Sequence, residues 1–169
     1  MKKLMYDRQC TVEQLQQLLR AVYQQVLERQ PFQWEKVGYL AQVERDFLQR
    51  KINLRRLIRA VGHSPLYQRL FFQQGGNTRC VERAFQHFLG RLPLSREEVA
   101  SYHRILVREG LGALVDALLD SEEYRRVFGP NQVPYERHSG IAPISAYLAQ
   151  RCHDSQHVFM PTLARYQVV

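Results

Sequence analysis

Apolar residues recur at helical spacing along most of the chain. Leu15, Leu18, Leu19, Val22 and Val26 form one such stripe, Leu40, Val43 and Phe47 a second, and Val99, Tyr102, Ile105 and Leu106 a third. Start and stop signals agree with these stripes. Thr11 precedes the first as an N-cap, Ser95 stands before Glu97 and Glu98 at the start of the third, and Gly110 follows Glu109 where that helix can end. No alternating stretch or Asn-Gly turn competes with this reading. The pattern predicts an all-α fold, with helices of roughly 10 to 16 residues joined by short loops.

The pattern also repeats. At an offset of 57, Leu54, Leu57, Ile58, Ala60, Val61, Ser64, Tyr67, Arg69 and Phe71 match Leu111, Leu114, Val115, Ala117, Leu118, Ser121, Tyr124, Arg126 and Phe128. At an offset of 62, Tyr23, Gln24, Val26, Leu27, Arg29 and Pro31 match Phe85, Gln86, Phe88, Leu89, Arg91 and Pro93. Two related units are predicted, over about residues 15–72 and 77–128. Each has a helix leading into Arg-x-Pro, a middle helix, and a third helix that breaks at Ser and re-forms around Tyr and Phe. The Ser hydroxyl caps the turn that follows it, and the two aromatics, four residues apart, share a face that can close the core. The change of offset predicts a longer middle segment in the first unit.

Composition adds charge to this picture. The chain has 169 residues and a formal net charge of +8, with 20 arginines against 4 lysines. Arginine pairs bidentately with carboxylate or phosphate, so the excess points to acidic partners. Its densest stretch, "RKINLRRLIR", holds Arg50, Lys51, Arg55, Arg56 and Arg59 without one acid. No apolar run approaches the length that spans a membrane, and "TVEQLQQLLR" is too polar to continue a secretory signal. Cys10, Cys80 and Cys152 lie far apart in no paired motif, which fits a reducing compartment.

Catalytic chemistry is not written here. The serines sit in no nucleophile elbow, there is no Gly-rich phosphate loop, and His87 and His103 fall on separate helices. The one metal-like spacing, Cys152, His153 and His157 in "CHDSQH", lies in a proline-flanked tail and predicts no site. The reading is of a binding protein rather than an enzyme.

Residues 64–138 then carry a specific likeness. Ser-x-x-Tyr followed by Phe-Phe at 64–72, the 77–91 segment with "AFQHFLGR", "LDSEEY" at 119–124, and the closing "FG" and "VPYER" resemble the phycobilisome linker domain of cyanobacteria and red algae. The resemblance extends over about residues 15 to 138. It implies an all-helical, non-enzymatic scaffold seated in the hole of acidic phycobiliprotein hexamers, peripheral to the cytoplasmic face of the thylakoid membrane. Implied partners are α and β subunits of phycocyanin, allophycocyanin or both, and other linkers. No cofactor of its own is implied, only contact with the bilins (phycocyanobilin) of partner subunits.

On this basis the domain is expected over 11–138, with an N-terminal tail at 1–10 and an extension at 139–169. Expected partner-binding residues are Arg50, Arg55, Arg56 and Arg59 on the basic stretch. On loops and helix ends near a bilin they are Phe72, Asn77, Arg79, Arg91, Tyr135 and Arg137. The long tail favours a rod or rod-core linker, with a repeat domain of a core-membrane linker as the alternative. From a different class, a basic helical domain with Arg50, Arg55, Arg56 and Arg59 on phosphates would bind nucleic acid.

Overall fold

The computed structural model describes residues 4–7, 9–73 and 76–137. The extension at 139–169 and the "CHDSQH" spacing lie outside the described residues. Among the described residues seven α-helices follow one another: α1 (Val12–Leu27), α2 (Tyr39–Leu48), α3 (Leu54–Gly62), α4 (Pro65–Phe71), α5 (Asn77–Ala84), α6 (Arg96–Asp120) and α7 (Glu122–Val127). A 3-10 turn, Gln33–Glu35, precedes α2, and a π-helical segment, Phe85–Leu89, continues α5. Among the described residues the only β-type pairing is an isolated bridge between Met5 and Gln132, so the all-α expectation holds.

Five of these helices begin on a side chain that accepts a backbone N–H: Thr11, Asn53, Ser64, Ser95 and Ser121. Thr11 and Gln14 form a reciprocal capping box. Each cap satisfies donors that a helix start leaves without a partner. The apolar stripes then face inward. Leu15, Val22 and Val26 on α1, Phe47 on α2, and Leu54, Leu57 and Ile58 on α3 are fully buried.

The two serine breaks repeat in detail. Ser64 Oγ donates to the Val61 carbonyl at 2.6 Å and accepts from Tyr67 N–H at 3.2 Å; Ser121 Oγ donates to Leu118 at 2.7 Å and accepts from Tyr124 at 3.1 Å. Each hydroxyl thus closes one helix and opens the next. Tyr67 and Tyr124 are both buried, against Phe71 at 5.0 Å and Phe128 at 5.5 Å between ring centroids. Each half therefore carries a broken third helix, α3–α4 in the first and the end of α6 with α7 in the second. Gly110 separates the middle and third helices of the second half by a kink inside α6, with φ 88° and ψ −179°. In the first half a full turn, residues 49–53, does the same work, and the 3-10 turn adds length before α2.

At two glycines the space a Cβ would take is already filled. A Cβ at Gly62 would stand 2.8 Å from Phe88 and Val115, so its absence lets α3 close on the second half. Gly90 ends the π segment at φ 67°, and a Cβ there would fall 1.9 Å from the Tyr135 carbonyl oxygen. Its counterpart Glu28 ends α1 in the same left-handed region, at φ 61°.

The start of the chain departs from the expected tail. Tyr6 N–H donates to the Asn131 carbonyl at 2.6 Å and Val133 N–H to Leu4 at 3.2 Å, while Leu4 and Tyr6 pack on the core and Cys10 is buried. Residues 4–7 are held because this pairing satisfies backbone groups at both edges and covers apolar surface.

Candidate partner-binding surface

The Arg-rich α3 has its acids elsewhere in the fold. Arg55 donates to the Leu119 carbonyl at 2.6 Å and pairs with Asp120. Arg59 pairs with Asp120 at 2.6 Å and Asp116 at 3.2 Å, and His63 reaches Asp116 at 2.9 Å. This ladder ties α3 to the end of α6. Of the basic stretch, Arg56 remains exposed with no ion pair among the described residues. Arg50 sits in the left-handed region at φ 59° and donates to the Cys10 carbonyl at 2.6 Å, fastening the N-terminal segment.

A second cluster gathers three more expected residues. Arg91, 7% exposed, holds Glu98 in a two-pronged pair at 2.8 and 3.0 Å and Glu123 through Nε at 2.8 Å, with its guanidinium over the Phe85 ring. Hydrogen bonding to Glu123 first, and then to Glu98, raises the Arg91 pKa, and the same contact lowers that of Glu123. Arg137 adds a bond to Glu123 at 2.8 Å and donates its N–H to the Gly90 carbonyl. Tyr135 packs edge-on against Phe128. Arg91, Tyr135 and Arg137 therefore lie together, and Arg91 is a buried structural cation. Phe72 ends α4, half-buried on the core, whereas Asn77 and Arg79 are exposed at the start of α5.

Arg79 lines a pocket of about 440 Å³ with Leu27, Glu28, Arg29, Leu70, Phe71 and Arg83. The π segment places His87 behind it. His87 Nδ1 is 3.0 Å from the Tyr67 hydroxyl and Nε2 is 3.1 Å from Glu28, which also pairs with Arg83. With Glu28 ionised, Nε2–H donates to the carboxylate and Nδ1 accepts from Tyr67 O–H. The His87 hydrogen bond, with Arg83, holds the Glu28 carboxyl at about 2, and burial pushes the imidazole below its ordinary value. Among the described residues no group of His, Cys, Asp and Glu is placed to hold a metal.

One surface was not foreseen from sequence. Between α1 and α2 the chain exposes Phe32, Trp34, Val37 and Tyr39. Phe32 and Trp34 stack at 5.9 Å, with Arg29 over the Phe32 ring and Arg69 over the Trp34 ring. Both arginines are fixed by one buried acid, Glu35, at 2.7 and 2.8 Å. The available signal was four large apolar residues within eight positions that follow no helical period.

The described charges are held mostly in ion pairs that join helices of the fold. The phycobilisome linker polypeptide family model matches residues 10–137. Phycobiliprotein ApcE of Galdieria sulphuraria is 42% identical over 130 residues, which is 77% of this chain and 15% of that protein. Phycobiliprotein ApcE of Synechocystis is 40% identical over 139 residues, 81% of this chain and 14% of that protein, and that of Porphyra purpurea is 38% identical over 125 residues. The chain thus spans about one seventh of the curated relatives it matches. With most of its described length matched from the first helix to Arg137, the chain belongs to the phycobilisome linker polypeptide family.

Proposed function

We propose that this chain is a non-enzymatic linker domain of the core-membrane type, which binds phycobiliprotein rings and organises the phycobilisome core. The observation that carries the subtype is the form of the match. About three quarters of this chain aligns with a small part of long proteins, each named phycobiliprotein ApcE, as one repeat domain of a multi-domain linker would. This favours the core-membrane alternative over the rod or rod-core type expected from the tail. Its seat is the phycobilisome, on the cytoplasmic face of the thylakoid membrane. No helix among the described residues is long and apolar enough to cross a membrane. Allophycocyanin α and β subunits are the proposed partners, and Phe72, Asn77, Arg79 and Arg137 the proposed contacts near their bilins.

The test mixes the purified protein with allophycocyanin trimers, phycocyanin trimers and duplex DNA at moderate salt and follows co-migration on a gradient. Binding to allophycocyanin with a shifted absorption or emission maximum is expected. Preference for phycocyanin would return the protein to the rod types, and binding to DNA alone would overturn the reading.

A further inference from the structure

The 32–39 segment exposes four large apolar side chains within eight residues. Trp34 is 65% exposed, Val37 78%, Phe32 58% and Tyr39 48%. Side chains of this size are ordinarily covered, and aromatic residues with arginine are the types that anchor protein interfaces. The ring pair is not a loose loop tip. Phe32 and Trp34 stack on each other, a guanidinium lies near each ring, and both cations are held by Glu35, whose side chain is only 2% exposed. Such an arrangement loses little side-chain freedom on binding.

Beside Trp34 lies a groove of about 250 Å³, bordered by Val37, Tyr39, Leu40, Leu66 and Arg69. It has room for one large apolar side chain. Among the described residues the acid in its wall is Glu35, already shared by Arg29 and Arg69, and the Arg29 contact holds the Glu35 pKa at about 2. Arg69, half exposed, keeps N–H groups free to turn outward. With two guanidiniums against one carboxylate, an incoming carboxylate would therefore meet net positive charge at the groove's rim.

We propose that residues 32–39 with Arg69 form a docking surface for an acidic protein partner, which inserts one apolar side chain beside Trp34 and sets a carboxylate on Arg69. The inference rests on the linker reading for its partner, an acidic ring surface, and locates where this chain meets it. A lipid surface is the less suitable occupant, because the stack is braced against the body by Glu35 and opens as a concave groove rather than a protruding wedge.

The experiment uses the full chain with purified allophycocyanin and phycocyanin trimers, and separately with phosphatidylglycerol vesicles. Affinity is read by sedimentation, and oxidation of Trp34, the chain's single tryptophan, by mass spectrometry. The expected result is that Trp34→Ala and Arg69→Gln each weaken ring binding by about tenfold or more with unchanged helicity. Leu94→Ala, at the exposed position of the second half that matches Phe32 at the offset of 62, has no effect, and the ring protects Trp34 from oxidation. If the wild-type protein binds the rings while both variants keep its affinity and Trp34 stays reactive, the surface is wrong and the linker reading stands. If the wild-type protein binds neither ring, the linker reading falls and takes this partner with it. Protection of Trp34 by vesicles and not by rings would overturn the proposal in favour of lipid.

Discussion

Replacing Arg91 by Met removes the most enclosed arginine among the described residues while keeping most of its volume. Its guanidinium makes bonds to Glu98, Glu123 and the Leu92 carbonyl, and its side chain is 6% exposed. Both carboxylates would remain about three quarters covered, with Arg137 left as partial compensation for Glu123. Removing one partner of a buried pair costs about 3 to 5 kcal/mol, and the surviving arginine places the expected loss near about 3 kcal/mol. Urea unfolding at neutral pH, followed by circular dichroism, measures it. The penalty should shrink as pH falls, because Arg91 holds the Glu123 carboxyl below its ordinary value and protonation relieves that acid once the guanidinium is gone. Adding Glu98→Gln and Glu123→Gln should recover much of it. A loss under about 1 kcal/mol, or one independent of pH, would show that water replaces the guanidinium and that the cluster is not a buried one.

Gly90→Ala should destabilise by more than about 2 kcal/mol, since a left-handed φ is combined with collision on Tyr135, whereas Gly110→Ala meets no atom within 4 Å and should cost only its backbone strain; urea midpoints rank the two. Ser64→Ala and Ser121→Ala should each cost about 1 kcal/mol and agree closely, as both remove the same pair of bonds; a large disparity would separate the two breaks. Acid should weaken the fold in two stages. Burial holds His87 below 6.5, so the unfolded chain takes that proton first and stability is lost as pH falls from 6.5 towards the lower folded value. Glu28 and Glu35, both held at about 2, add loss as pH falls through 4.5 to about 2. His87→Gln should flatten the urea midpoint between pH 7.5 and 5.5, and an unchanged slope would refute the first stage.

Local rules made much of this fold readable. Thr11, Ser64, Ser95 and Ser121 cap where hydroxyls must, and Tyr67 and Tyr124 close the core because each lies one turn from a phenylalanine on a buried face. What escaped depended on distant partners. The acid-free stretch around Arg55 looked open because Asp116 and Asp120 stand some 60 residues away, and Arg91 looked like a loop contact because Glu123 comes from another helix. The docking of residues 4–7 needed knowledge of where 131–133 run. Trp34 was passed over because exposure follows no period, and the π segment because its extra residue leaves the apolar pattern nearly unchanged.

The ladder between α3 and α6 has a symmetry that bears on how such a domain can be built. Exchange each residue with its counterpart 57 positions away, and Arg59–Asp116 maps onto itself, while Arg59–Asp120 maps onto Asp116–His63. Arg55–Asp120 maps onto Gly112 against His63, where the histidine ring lies 3.2 Å from the position of a Cβ. The pairing is therefore that of a two-fold dimer folded into one chain, with Arg59 and Asp116 on its axis. Two identical halves could never satisfy that position, because a residue on the axis faces itself and arginine would oppose arginine. Covalent joining frees the copies to carry opposite charges, so each half is made for the other and neither can stand in its partner's place.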